Sequence, residues 1–302
     1  MRIPLTHLLM PALSAALLIG GAGPAGAGAT LDRIVSEKTI RLGVRTDAPP
    51  FSSLVDGRPA GFSVDLCGLM AGAIMATSNL TDMTGTFIAV NSVDRFTKLE
   101  AGEIDVLCGA TTATLTRRET MSFSIPIFST GVGAMVSSTA PDLLKEVVVT
   151  GGPAALSNAA VTEAFKGRTL GVLAGTTAEN WLKASPLAKI DGLTIVTSAD
   201  HTAGVASVAE GTVDVYFADQ AILVGLRAQS DNAESLVISK NTFTHEPYAL
   251  ALLRDDEDLR LTIDRALSHI YRTGAIYQIF SRHFGKPGPE VVLFYSVVSL
   301  PE

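Results

Sequence analysis

The chain has 302 residues, a length that at roughly 150 per domain favours two domains over one small module. It is 47% hydrophobic and 18% charged, enough apolar material for a real core, which excludes disorder as the main state. A formal net charge of −7 and an aromatic share of 6% exclude a nucleic-acid or anionic-lipid surface as the leading reading, because the bulk charge repels phosphate and few rings are present to stack on bases.

In chain order, Met1-Arg2 leads into an apolar run over residues 8–19 and then a small-residue stretch over residues 20–29 containing Ala25-Gly26-Ala27 and Ala27-Gly28-Ala29. Residues 1–29 read as a secretory signal peptide, since the run is shorter than the ~20 residues a spanning helix needs. No cysteine follows the cleavage region, so a lipid anchor is not indicated, and the remainder stays acidic because Arg2 is the one charge removed. A periplasmic location is expected. The two cysteines, Cys67 and Cys108, are too few for a disulfide scaffold or a Cys-rich zinc site. Export allows a bridge between them, and two buried thiols remain the alternative.

Ile40, Leu42 and Val44 alternate with Arg41, Gly43 and Arg45, the period of a strand. After Pro49-Pro50 and Asp56-Gly57, the residues Phe62, Leu66, Leu69, Met70, Ala73 and Ile74 recur at helical spacing. A strand over 86–90, a helix capped by Ser92 and stopped by Gly102, and a strand over 104–107 complete an α/β unit with a mostly parallel sheet. The scheme repeats with strands over 170–174, 193–197 and 213–218 and helices over 177–184 and 202–210. Gly102-Glu103-Ile104-Asp105-Val106 is answered by Gly211-Thr212-Val213-Asp214-Val215, a faint echo of two similar lobes. Residues 256–272 and 275–284 read as helices split at Thr273-Gly274, and the tail beyond Gly285-Lys286-Pro287 is expected over the surface.

The chain holds no phosphate loop, no nucleophile elbow and no zinc-protease helix. Its five histidines, His7, His201, His245, His269 and His283, do not fall at metal-ligand spacing, so neither metal nor cofactor is expected. An exported α/β protein of this kind points to ligand capture in a cleft beyond the carboxyl ends of the strands. The segment Cys108-Gly109-Ala110-Thr111-Thr112-Ala113-Thr114-Leu115-Thr116-Arg117-Arg118-Glu119, running into Phe123-Ser124-Ile125-Pro126, combines a backbone turn, hydroxyls and a guanidinium that suit a carboxylate clamp. Its plainer reading is a helix start with solvated Arg117 and Arg118.

This stretch resembles the Thr-x-Thr-x-x-Arg…Phe-Ser-x-Pro motif of the family-3 extracellular solute-binding proteins, which bind polar amino acids for ABC transporters. The likeness extends through Gly61-Phe62-Ser63-Val64-Asp65-Leu66, Arg95, Leu99-Glu100-Ala101-Gly102-Glu103-Ile104-Asp105, Gly175-Thr176-Thr177 and Gly274…Phe280…Phe284-Gly285. Within the family, Cys108-Gly109-Ala110-Thr111-Thr112 and Ser198-Ala199-Asp200-His201 look most like the glutamate/aspartate-binding branch. The resemblance implies two α/β lobes of the type II periplasmic binding fold, joined by two hinge strands near residues 129–135 and 243–249. Lobe 1 would comprise residues 30–130 and, with the tail, 246–302, and lobe 2 residues 131–245.

The same resemblance implies a monomer that works with membrane permease subunits. Arg117 and Thr112 would hold the ligand's α-carboxylate, with Thr177 at the same end, and Asp219 would take the ammonium. For Asp219 the plain alternative is a helix N-cap. Arg45, Ser92, Arg95 and His201 would surround a distal carboxylate with three possible cations and a hydroxyl. Ala110 stands where the branch usually carries serine. Phe51 is expected to line the cleft and Phe62 to join the core. The alternatives are a general polar amino-acid binder, an exported cyclohexadienyl or arogenate dehydratase on the same fold, and a sensory ligand-presenting protein.

Overall fold

The computed structural model describes residues 28–150 and 159–301. Of the expected signal segment, residues 1–27 lie outside the described residues. Two five-stranded sheets organise the chain. The first has the order Thr84–Val90, Thr39–Arg45, Val106–Cys108, Ala251–Leu253, Met121–Phe123, with the first three parallel and Ala251–Leu253 antiparallel to both neighbours. The second has the order Thr194–Ser198, Thr169–Leu173, Val215–Asp219, Val132–Ser137, Leu236–Ile238, with Val132–Ser137 reversed in the same way. Both sheets thus follow one plan.

Parallel neighbours require crossovers, and helices supply them: Phe62–Thr77 and Arg95–Glu100 in the first lobe, Thr177–Ala184 and His201–Ala209 in the second. Covered on both faces, the strand Val215–Asp219 is buried at every position. The α/β reading therefore holds. The chain leaves the first sheet through Phe128–Thr130 and returns through Glu246–Tyr248, and these two segments pair antiparallel with Phe128 opposite Tyr248.

Local chemistry accounts for the punctuation. Asp56 and Gly57 both have positive φ, at 51° and 73°, and close a two-residue hairpin between Val55 and Arg58. The helix after Ser92 begins only at Arg95, and Ser92 does not cap it. Asn91 does the work instead: its Oδ1 accepts from the backbone N–H groups of Val93 at 2.8 Å and Asp94 at 2.9 Å, an Asx turn. After the Cys108 strand the chain enters a three-residue 3₁₀ turn, Arg117–Glu119, because Met121–Phe123 is drawn off as an edge strand.

Cys67 and Cys108 form a disulfide, so the bridged alternative holds. It ties the helix Phe62–Thr77 to the strand Val106–Cys108 and closes a loop whose entropy is worth about 4 kcal/mol. In the first lobe the helix Glu257–Arg272 buries Leu259, Ile263, Leu267 and Ile270 in the same core as Leu66, Met70 and Ile74. The tail forms a helix, Pro289–Val298, opened by a proline at its first turn. Its Tyr295 is buried, lies tilted against Tyr271 with ring centroids 4.8 Å apart, and donates to the Ile127 carbonyl at 3.0 Å.

Phe51 corrects an expectation. It is buried within a five-ring cluster, its centroid 4.9 Å from Phe128, 5.0 Å from Tyr248, 5.4 Å from Phe284 and 6.3 Å from Phe62. Four apolar neighbours drawn from distant segments make it core, alongside Phe62. Full burial of such a ring is worth about 1.5–3 kcal/mol.

Candidate functional site

The carboxyl ends of the parallel strands from both lobes converge on one narrow cavity, lined by Arg45, Arg95, Ala110, Thr112, Arg117, Thr176, Thr177, His201, Asp219 and Ile222. Eight of the ten residues singled out in the sequence therefore meet here. Phe51 lies in the core, and Ser92, although buried, is not part of the lining. Ser92 instead sits at the lobe boundary. A Cβ on Gly175, whose φ is +73°, would fall 2.7 Å from the Ser92 carbonyl oxygen, so glycine permits this approach of the two lobes. The cavity has a volume of about 10 Å³, the space of one water.

On the lobe 1 side, Arg117 Nη1 donates to the Thr112 carbonyl at 2.7 Å, and the Arg117 backbone N–H donates to Thr114 Oγ1 at 3.1 Å. The Thr112 carbonyl thus orients the guanidinium, and the Thr114 hydroxyl holds the backbone that carries it. Phe96 lies between two cations: the Arg95 and Arg117 guanidinium carbons are 4.6 and 4.8 Å from its ring centroid. Arg95 is 2% exposed and donates across the boundary to the Gly175 carbonyl at 3.0 Å, while its Nε has no hydrogen-bond partner. No described carboxylate pairs with it. Burial first, then repulsion from Arg45 and Arg117, lowers its pKa well below the ordinary guanidinium value.

On the lobe 2 side, the helix Thr177–Ala184 is capped by Thr176, whose hydroxyl accepts from the Glu179 N–H at 3.2 Å, leaving the Thr177 hydroxyl free to point inward. Asp219 ends its strand immediately before the helix Gln220–Gln229 but makes no side-chain cap, so the N-cap alternative fails. Its Oδ1 is buried without a hydrogen-bond partner among the described residues. Burial, followed by repulsion from Glu246, pushes the Asp219 pKa up to about 7, with Arg117 and Arg95 pulling the other way.

His201 and Arg45 correct the expected count of cations. Burial, reinforced by Arg45, lowers the His201 pKa to about 3, so its ring is neutral at physiological pH. Its Nδ1 lies 3.0 Å from the Tyr216 hydroxyl, a ring that can approach because residue 204 of this helix is glycine. Arg45 is paired with Asp47. Among the described residues at the side-chain end, Arg95 is the arginine without a paired carboxylate.

Two acids here were not singled out in the sequence. Glu246, on the returning strand between the lobes, accepts through one oxygen from the Thr112 hydroxyl at 2.7 Å and the Thr177 hydroxyl at 2.6 Å. Asp47 follows the first strand. Neither acid carries a local motif, and only their contacts reveal them.

The fold and cavity are those of a two-lobed α/β binding protein. The model of the bacterial extracellular solute-binding proteins, family 3, matches residues 40–286, and the chain belongs to that family. It is 28% identical over 284 residues to the L-glutamate/L-aspartate-binding protein of Pseudomonas aeruginosa, covering 93% of this chain and 88% of that one. It is 26% identical over 290 residues to the glutamate/aspartate import solute-binding protein of Escherichia coli, covering 96% and 90%. Among solved structures, a mutant of ArgBP from T. maritima superposes with a TM-score of 0.70 at 24% identity, over 85% of this chain and 99% of that one. No helix among the described residues is long and apolar enough to cross a membrane.

Proposed function

We propose that this protein is the periplasmic substrate-binding subunit of an amino-acid ABC transporter, and that it captures glutamate or aspartate between its lobes. Residues 30–130 with 246–302, and residues 131–245, move as two bodies about the paired strands Phe128–Thr130 and Glu246–Tyr248 and close on the ligand, which is passed on unchanged to membrane permease subunits. The observation that carries the reading is the meeting of half-buried Arg117 from one lobe and buried Asp219 from the other in the lining of one cavity. A guanidinium for a carboxylate and a carboxylate for an ammonium match the head of an α-amino acid.

Arg95 supports an acidic side chain. A buried cation without a counter-charge is costly by several kcal/mol, and a ligand carboxylate relieves that cost. The general amino-acid binder is favoured by a different observation, the pairing of Arg45 with Asp47 beside a neutral His201. Calorimetric titration with the twenty amino acids decides between them. Glutamate or aspartate should bind at least tenfold tighter than glutamine or asparagine; equal binding overturns the acidic reading. Incubation with arogenate and prephenate should give no turnover, and product formation would replace the binding role with a dehydratase.

A further inference from the structure

Arg45 already has a carboxylate. Asp47 lies in the short strand Asp47–Ala48, paired with Ser52–Val55, and its Oδ1 accepts from Arg45 Nε at 2.8 Å while Arg45 Nη2 lies 2.6 Å from the same oxygen. The other oxygen accepts from the backbone N–H of His201 at 3.3 Å, the first residue of the lobe 2 helix His201–Ala209. One side chain, 12% exposed, thus joins a lobe 1 guanidinium to a lobe 2 helix N-terminus. Those two groups are what a side-chain carboxylate of the ligand would seek at this end of the cavity, since a helix N-terminus and an arginine each attract an anion. Arg45 Nη2 is buried and, close as it lies to Asp47 Oδ1, makes no hydrogen bond among the described residues, so the pairing is ionic there and leaves a donor unsatisfied.

We propose that Asp47 is a specificity-determining residue, a built-in carboxylate that occupies Arg45 and the N-terminus of the His201–Ala209 helix and so competes with the distal carboxylate of an acidic amino acid. Arg95 is then the cation such a ligand meets, and acidic ligands are held less tightly than the number of arginines suggests. The inference rests on the amino-acid-binding reading of the site. It differs from a purely structural role for Asp47 in one respect: a structural loss weakens glutamate and glutamine alike, whereas loss of a competing charge changes their ratio.

The test is calorimetric titration of glutamate and glutamine into the wild type, Asp47→Asn, Arg45→Ala and the double variant, with circular dichroism to confirm folding and Asp47→Ser as a second variant should the first not fold. The ratio of the glutamine to the glutamate dissociation constant should rise at least tenfold in Asp47→Asn. That rise should vanish in the Arg45→Ala background, and Asp47→Glu should restore the wild-type ratio. A ratio that stays within twofold or falls in Asp47→Asn, a rise that persists without Arg45, or no glutamate binding by Asp47→Asn overturns the proposal. A wild type that fails to prefer glutamate sinks the acidic reading instead, and in that case a rise in Asp47→Asn still supports the masking of Arg45.

Discussion

Glu246 accepts a hydrogen bond from the Thr177 hydroxyl at 2.6 Å, and the oxygen that does so also accepts from Thr112 at 2.7 Å. A carboxylate on a connecting strand therefore clasps the two lobes together at the place where their hydroxyls converge. Its second oxygen takes the Thr244 hydroxyl at 2.9 Å, which keeps the side chain in line. Replacing Glu246 with alanine strands three hydroxyls and should cost about 1–3 kcal/mol of stability in urea unfolding. Glu246→Gln retains one acceptor and should cost less; equal losses for the two variants would mean that the charge of the side chain matters and its shape does not.

Asp219 and His201 give opposite pH signatures. Asp219 has a folded pKa of about 7, above its ordinary value, so between pH 4 and 7 the folded state binds the extra proton and stability falls as pH rises. His201 has a folded pKa of about 3, below its ordinary value, so between pH 3 and 6.5 the unfolded state binds the extra proton and stability rises with pH. Each contribution is about 4 kcal/mol, and in the wild type they largely cancel. Asp219→Asn should therefore gain stability between pH 4 and 6.5 more steeply than the wild type, and His201→Gln should lose it. Thermal melts across this range read the slopes, and parallel profiles for all three proteins would refute both assignments.

Ligand binding should also release protons. An ammonium beside Asp219 favours its charged form, so at pH 6 binding should expel a fraction of a proton, measurable by calorimetry in buffers of different ionisation enthalpy. Asp219→Asn should abolish the release.

Arg117 and Arg95 should separate by ligand. Arg117→Lys removes the planar fork and should weaken every amino acid by about 2–3 kcal/mol, since an α-carboxylate is common to all. Arg95→Met should weaken glutamate and leave glutamine within about threefold, because it takes away a charge that only an acidic side chain uses. Uniform weakening by Arg95→Met would place Arg95 in the lobe contact with Gly175 and not in side-chain selection.

Reduction of Cys67–Cys108 should lower stability by about 4 kcal/mol while leaving the secondary structure intact. Denaturant titration with and without dithiothreitol reads the difference; a loss of far-ultraviolet ellipticity on reduction would show that the bridge is required for the fold itself.

Periodicity and turn chemistry are local, and they made the element pattern and the α/β class legible. Ile40, Leu42 and Val44 mark the first strand, and the helices Thr177–Ala184 and Ala275–Phe284 follow their apolar spacing. The echoed Gly-x-[Ile/Val]-Asp-Val segments acquire a physical meaning in the structure. Asp105 accepts from the Arg41 N–H at 2.7 Å and from Arg33, and Asp214 accepts from the Thr169 N–H at 2.8 Å and from Arg168, so each acid fastens the start of a neighbouring strand. Charge in the pocket was not legible in this way. Arg45 reads as a free cation until Asp47 is found against it, His201 as a third cation until its burial is known, and Phe51 as a cleft residue until four distant rings close around it. The residues and their elements follow from neighbours along the chain, but ionisation and packing depend on desolvation and on partners brought from other lobes and loops. Only the tertiary structure decided those.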